Sequence, residues 1–194
     1  MFPAILVLLL VAQNPTSSEL MTRAGKAFAA DDFVAAERDL RAVVQMEPSN
    51  FDAQSYLGHA LFRQEKYQEA IAPYEKALAL EGKTKKLVMQ EHRILIDQLV
   101  MSYGLTGNLA KVHRLLDEAI QRDPEYPLNY YNRACAFAEA GEKQKALTNL
   151  ELAFARKKNI LKGEQMPEPL KDSSFQRYLR DADFLALMKK LGLG

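Results

Sequence analysis

The 194-residue chain has one cysteine and no tryptophan. A lone cysteine excludes an internal disulfide and any cysteine-based metal cluster. Nine glycines and eight prolines are too few for a low-complexity or collagen-like chain, and they fall at intervals, as punctuation does. Net charge is nearly absent as well. Twenty-six basic against 25 acidic side chains leave +1, so no electrostatic footprint points to nucleic acid. After Ala12 no apolar run is long enough to span a bilayer. Signatures of catalysis are missing too. His59, His92 and His113 stand in no His-Glu-x-x-His pair and no Cys/His ligand spacing. There is no phosphate-cradling glycine loop and no Gly-x-Ser-x-Gly elbow. Cys135 lacks a partner set for nucleophilic chemistry, and a lone helical cysteine usually serves packing. Neither an enzyme nor a cofactor- or metal-binding protein is expected.

What is present is helical periodicity. From Phe51 to Glu81 the chain reads as two short amphipathic helices joined by a polar turn at Gln64-Glu65-Lys66, with Ser49-Asn50 offering the first N-cap. Ala53, Leu57, Ala60 and Leu61 share one face of the first helix. Tyr67, Ala70, Ile71, Tyr74, Ala77 and Leu78 share one face of the second. Gly58 and Ala70 are small where two helices must approach closely, and Tyr74 is large enough to fill the space beside them.

This unit resembles a tetratricopeptide repeat, whose small-residue and aromatic pattern recurs about every 34 residues. A degenerate copy precedes it over residues 17–50, with Ala24 and Ala27 on its first helix and Phe33, Ala36, Leu40 and Val43 on its second. Arg23 stands there where the family has leucine. A third copy, 93–126, lies about 42 residues on, with the stripe Leu109, Val112, Leu116 and Ala119. About eight additional residues fall within 82–92, and they predict a first helix longer by about two turns. A fourth copy, 127–158, opens on Pro127, carries Tyr130, Ala134, Phe137, Ala146, Leu150 and Ala153, and departs from the family at Arg133, Lys143 and Lys158. Lys158 replaces a helix-ending proline, so the last helix is expected to run on past Arg156. The resemblance implies an all-α, right-handed α-solenoid of about four helix-turn-helix repeats.

Residues 159–194 follow as a loop, stopped by Pro167-Glu168-Pro169, and two short helices. Asp172 or Ser173 and then Asp181 offer the caps, and Phe175, Leu179, Phe184 and Leu187 the apolar faces. A helical array leaves its last apolar face open, so this tail reads as a capping element. At the other end Met1–Ala12 is an unbroken apolar run followed by polar residues, the length of a secretory signal peptide, so residues 1–16 read as export signal and short linker. An uncleaved membrane tether is the alternative. The lysines at 83, 85 and 86 read as a solvated loop.

In the resembled family the first helices of successive repeats line a concave groove that binds protein or peptide partners. The positions expected to face it are Met21, Phe28, Ser55, His59, Phe62, Arg63, Asp97, Met101, Tyr131 and Glu139, with Leu105 and Cys135 beside them. Phe28, Phe62, Arg63 and Tyr131 are expected to form one strip suited to apolar anchors and an acidic or carbonyl-rich stretch. Burial between repeats is the competing fate, above all for Met101 and Leu105. Chaperone-binding members grip a terminal carboxylate with Lys, Asn and Arg. The matching positions here are Met21, Gly25, Tyr56, Ile94 and Gln98, so that activity is not carried over. The expectation is a non-catalytic, exported scaffold or adaptor, monomeric, with a protein or peptide partner and no nucleic acid. A self-assembling envelope subunit and a chaperone for an apolar secreted segment are the alternatives.

Overall fold

Helical pairs follow one another from Ser17 to Ala155 in a computed structural model that describes residues 14–83 and 87–194. The apolar segment Met1–Ala12 and the lysines at 85 and 86 lie outside the described residues. The pairs are α1 (Ser17–Ala29) with α2 (Phe33–Met46), α3 (Phe51–Arg63) with α4 (Tyr67–Leu80), α5 (Met89–Leu105) with α6 (Leu109–Arg122), and α7 (Pro127–Glu139) with α8 (Lys143–Ala155). A ninth helix, α9 (Ala182–Lys190), lies in the tail. No β-strand occurs among the described residues.

Local chemistry sets the helix ends. Thr16 and Glu19 form a reciprocal capping box at α1, Asn50 caps α3 through the Ala53 amide, and Pro127 occupies the first turn of α7. Each pair turns through one residue with positive φ: Asp31 (55°), Glu65 (61°), Gly107 (78°) and Gly141 (77°). Glycine adopts that conformation freely, whereas Asp31 and Glu65 pay a steric cost.

Packing explains the small and large positions within a pair. Tyr74 is fully buried against Gly58, where an added Cβ would lie 2.6 Å from the Tyr74 ring. The Tyr74 hydroxyl donates to Gln98 Oε1 on α5 at 2.5 Å, tying one repeat to the next. A core that begins at Leu20 runs along α1–α6 and reaches Ala136 of α7, and a second cluster joins α7, α8 and the tail. Across repeats α3 touches α5 and α5 touches α7, while the second helices make no comparable contact. The stack therefore bends with its first helices on the inner face.

The departures from the repeat pattern have structural causes. Arg23 reaches Asp39 at 2.9 Å, and Arg133, sixteen residues before its own partner as Arg23 is, donates to Asn149 at 2.8 Å. Asp39 and Asn149 are buried. In the third pair the same two positions are Leu99 and Leu115, also buried, so a polar pair replaces an apolar one in the first and last repeats. Lys143 binds Asp181 and Asp183 of the tail at 2.9 and 2.7 Å.

Three expectations are corrected. The first helix of the third pair has 17 residues against 13 in the others, about one turn longer and not two. Leu87 turns inward, and the Glu91 carboxylate accepts the Val88 amide, so the helix starts only at Met89. The last helix of the array ends at Ala155, and a 3-10 turn, Lys157–Asn159, takes the place of the expected extension. The first tail element, Ser173–Tyr178, is likewise a 3-10 helix. Asp172 and Asp181 cap the two tail elements as the sequence predicts, and Phe175, Phe184 and Met188 are completely buried over α7 and α8.

Candidate partner-binding face

Along α5 the residues Ile94, Met101 and Leu105 follow the helical period and point to the inner face, exposed by 45%, 42% and 58%. Tyr56 of α3, 49% exposed, stands beside them. Isolated exposed apolar groups are ordinary, but a contiguous stripe is not. Two recesses flank it. The smaller, of about 230 Å³, lies between α3 and α5 and is lined by Ser55, Tyr56, His59, Ile94 and Gln98 among others. The larger, of about 570 Å³, lies between α5, α7 and the tail turn at 167–174, with Met101, Leu105, Leu128, Asn132 and Cys135 in its walls.

The sequence-predicted positions divide. Ser55, His59, Asp97, Met101 and Glu139 line the recesses. Met101 and Leu105 are exposed, which removes inter-repeat burial as their fate. Met21 and Phe28 are half-buried against the first core. Phe28 sits 5.6 Å from the Tyr56 ring and 5.5 Å from His59, forming the shoulder of the smaller recess. Burial, followed by the Arg63 charge, lowers the His59 pKa and so favours the neutral ring.

The expected strip of Phe28, Phe62, Arg63 and Tyr131 does not form. Phe62 packs edge-on to Tyr67 of its own pair at 5.2 Å. Arg63 lies over the Phe33 ring at 4.2 Å and within 3.6 Å of Asp31, so it clamps the first repeat to the second. Tyr131 is only 2% exposed, because the tail folds across α7 and covers it. Its hydroxyl donates to Asp172 at 2.9 Å, and its ring meets Phe175 edge-on. It is floor, not anchor.

The electrostatics of the larger recess are set by carboxylates. Asp97 accepts from Asn132 at 2.5 Å, bridging α5 to α7, and burial pushes its pKa up. Asp172 accepts the Tyr131 hydroxyl and the Ser174 amide, and stands 3.8 Å from Cys135 Sγ. Burial, then the Asp172 charge, raises the Cys135 thiol well above its usual range, which disfavours the thiolate. Among the described residues no three His, Cys, Asp or Glu side chains are grouped to hold a metal ion, and no helix is long and apolar enough to cross a membrane.

Sequence reasoning left Tyr56, Ile94 and Gln98 off the candidate face, although they hold the positions where chaperone-binding relatives carry charges. In the sequence Asp172 and Ser173 read as caps only, and Ser174 carries no signal. Nothing in the repeat period indicates that the tail returns to the inner face.

Residues 22–83 match the family model described as tetratricopeptide repeat. Among solved structures the chain is similar to a segment of MamA from Desulfovibrio magneticus RS-1, at 15% identity and a TM-score of 0.68, covering 94% of this chain and 97% of that one. It is similar to a tetratricopeptide repeat protein from Parabacteroides merdae, at 20% identity and a TM-score of 0.64, covering 91% and 67%. It is also similar to YrrB, a protein of the same repeat type with an unusual peptide-binding site, at 14% identity and a TM-score of 0.62, covering 91% and 84%. At these identities the likeness is one of fold.

Proposed function

The chain is a tetratricopeptide repeat protein, and we propose that it works as a non-catalytic binding module whose inner face holds a segment of a partner protein. Proteins of this fold generally mediate protein–protein interaction. One observation carries the reading to this face: the exposed apolar stripe Ile94, Met101 and Leu105 runs between two recesses. Exposed apolar area flanked by polar groups, with an aromatic at its edge, is the composition of a protein-binding surface. YrrB, of the same fold, has a peptide-binding site, which favours a peptide segment as the occupant.

Export belongs to the same proposal. The apolar run Met1–Ala12 followed by Gln13-Asn14-Pro15 supports a cleaved signal, and N-terminal sequencing of the mature protein tests it. A mature chain that begins at Met1 contradicts cleavage.

Photo-cross-linking in the native host tests the binding reading. Benzoylphenylalanine at position 101, on the inner face, is compared with the same group at exposed Glu118 on α6. A discrete adduct from 101 and none from 118 is expected. Equal adducts from both, or none from 101, contradict the inner face as the site.

A further inference from the structure

We infer that the occupant of the recess between α5, α7 and the tail turn is a basic, apolar peptide segment, in which Lys or Arg flanks an inserted aliphatic or aromatic side chain. The inference rests on the binding reading above and adds the chemistry of the partner. Val100, Met101, Leu105 and Leu128 supply the apolar part of the recess. Its acidic lining is Glu139 and Asp172, with Asp97 deeper and its charge disfavoured by burial; Asn132, Ser173 and Ser174 are neutral, and no Lys or Arg lines it among the described residues.

That imbalance is local, since the whole chain is almost neutral. Several acids on the outer helices and in the tail have cations close by: Asp117 pairs with Arg133, Asp123 with Arg93, and Asp181 and Asp183 with Lys143. Arg133 belongs to α7, the same helix as Glu139, yet it points away from the recess to Asn149 and Asp117. Among the described residues Asp97, Glu139 and Asp172 have no Lys or Arg partner, and their hydrogen bonds come from neutral donors: Asn132 for Asp97, Tyr131 and the Ser174 amide for Asp172. An apolar cleft with one sign of charge focuses its field and selects a partner of the opposite sign. This replaces the sequence-based expectation of an acidic segment. Arg63, which prompted it, is engaged with Asp31 and Phe33.

Selection from a random twelve-residue phage-displayed peptide library on the immobilised full chain tests the inference. Two variants serve as comparisons: Glu139→Lys, which reverses charge at an exposed rim position, and Met101→Asn/Leu105→Asn, which removes exposed apolar anchors. The expected pool is enriched in Lys and Arg next to Leu, Ile, Met or Phe. A peptide from it should bind about fivefold more weakly to Glu139→Lys, and about fivefold more weakly again when salt is raised from low to high ionic strength. A neutral or acidic apolar pool that is lost on Met101→Asn/Leu105→Asn would overturn the charge inference and leave the binding face standing. A pool indifferent to Met101→Asn/Leu105→Asn, or no enrichment at all, would overturn both.

Discussion

Replacing Gly58 by alanine should change sign with the residue opposite it. A Cβ at position 58 would lie 2.6 Å from two Tyr74 ring atoms, so the ring or the helix must move by nearly 1 Å to restore ordinary contact. Tyr74 is fully buried and its hydroxyl is held by Gln98, so it has nowhere to retreat. Overpacking of this kind costs about 1–3 kcal/mol, and the gain in helix propensity from Gly to Ala, roughly 0.8–1 kcal/mol, offsets part of it. Gly58→Ala should therefore bring no stabilisation and destabilise the protein by up to about 2 kcal/mol. Tyr74→Ala alone should cost about 3–5 kcal/mol, the range for a large aromatic truncation. In the Tyr74→Ala background the clash is gone and only the propensity gain remains, so Gly58→Ala should stabilise by about 1 kcal/mol. Urea melts followed by circular dichroism on the four chains of this cycle give the answer. Additive effects, with Gly58→Ala carrying the same sign in both backgrounds, would refute the close approach of α3 and α4 on which the repeat packing depends.

Glu37 is bound by Lys66, Arg41 and Gln64 at the joint between the first and second pairs. Burial alone would raise its pKa, but those three partners outweigh it and hold the carboxyl at about 2. Its contribution is therefore complete above the unfolded value of about 4.3 and is lost as pH falls towards about 2. Glu37→Gln should cost about 1–2 kcal/mol near neutrality, less than the ~3 kcal/mol of the shift itself because Arg41 and Lys66 are partly solvated, at 44% and 41% exposure; urea midpoints from pH 7 to pH 2 should show a shallower acid limb for the variant. Glu65→Gly should stabilise by a few tenths to about 1 kcal/mol in the same melts, since Glu65 holds a positive φ that glycine adopts without a Cβ clash. Removing all residues after Pro169 uncovers α7 and α8, so hydrogen exchange should accelerate across that pair while α1–α4 remain protected. Unchanged protection in α7 and α8 would show that the tail does not close the array.

The all-α repeat fold was legible because period, small residues and turn residues agreed at several places in the chain. Gly58 facing Tyr74 and the turns at Glu65 and Gly141 follow from local pattern alone. The insertion was harder. Composition carries the helical signal back to Leu87, but a single buried leucine and the Glu91 cap decide where the helix begins. Arg23 and Arg133 looked like defects in the repeat because their partners, Asp39 and Asn149, lie on the second helix of the same pair and complete a polar pair visible only in three dimensions. The candidate face was half legible. Period placed Met101 and Glu139 on the first helices, but it has no information on what the tail covers, and the tail buries Tyr131. Arg63, at the end of its helix, is close enough to the preceding turn to be drawn to Asp31 and Phe33.

The most direct test of the inner face is capture of the cross-linked partner by the Met101→Asn/Leu105→Asn chain, measured beside its melting temperature. Both side chains are exposed and the two Asn cost only about 1 kcal/mol of helix propensity, so the melting temperature should stay within about 4 °C of the parent. Capture should fall at least about tenfold, the equivalent of roughly 1.4 kcal/mol lost from two apolar anchors. Undiminished capture at an unchanged melting temperature would contradict the inner face as the docking site.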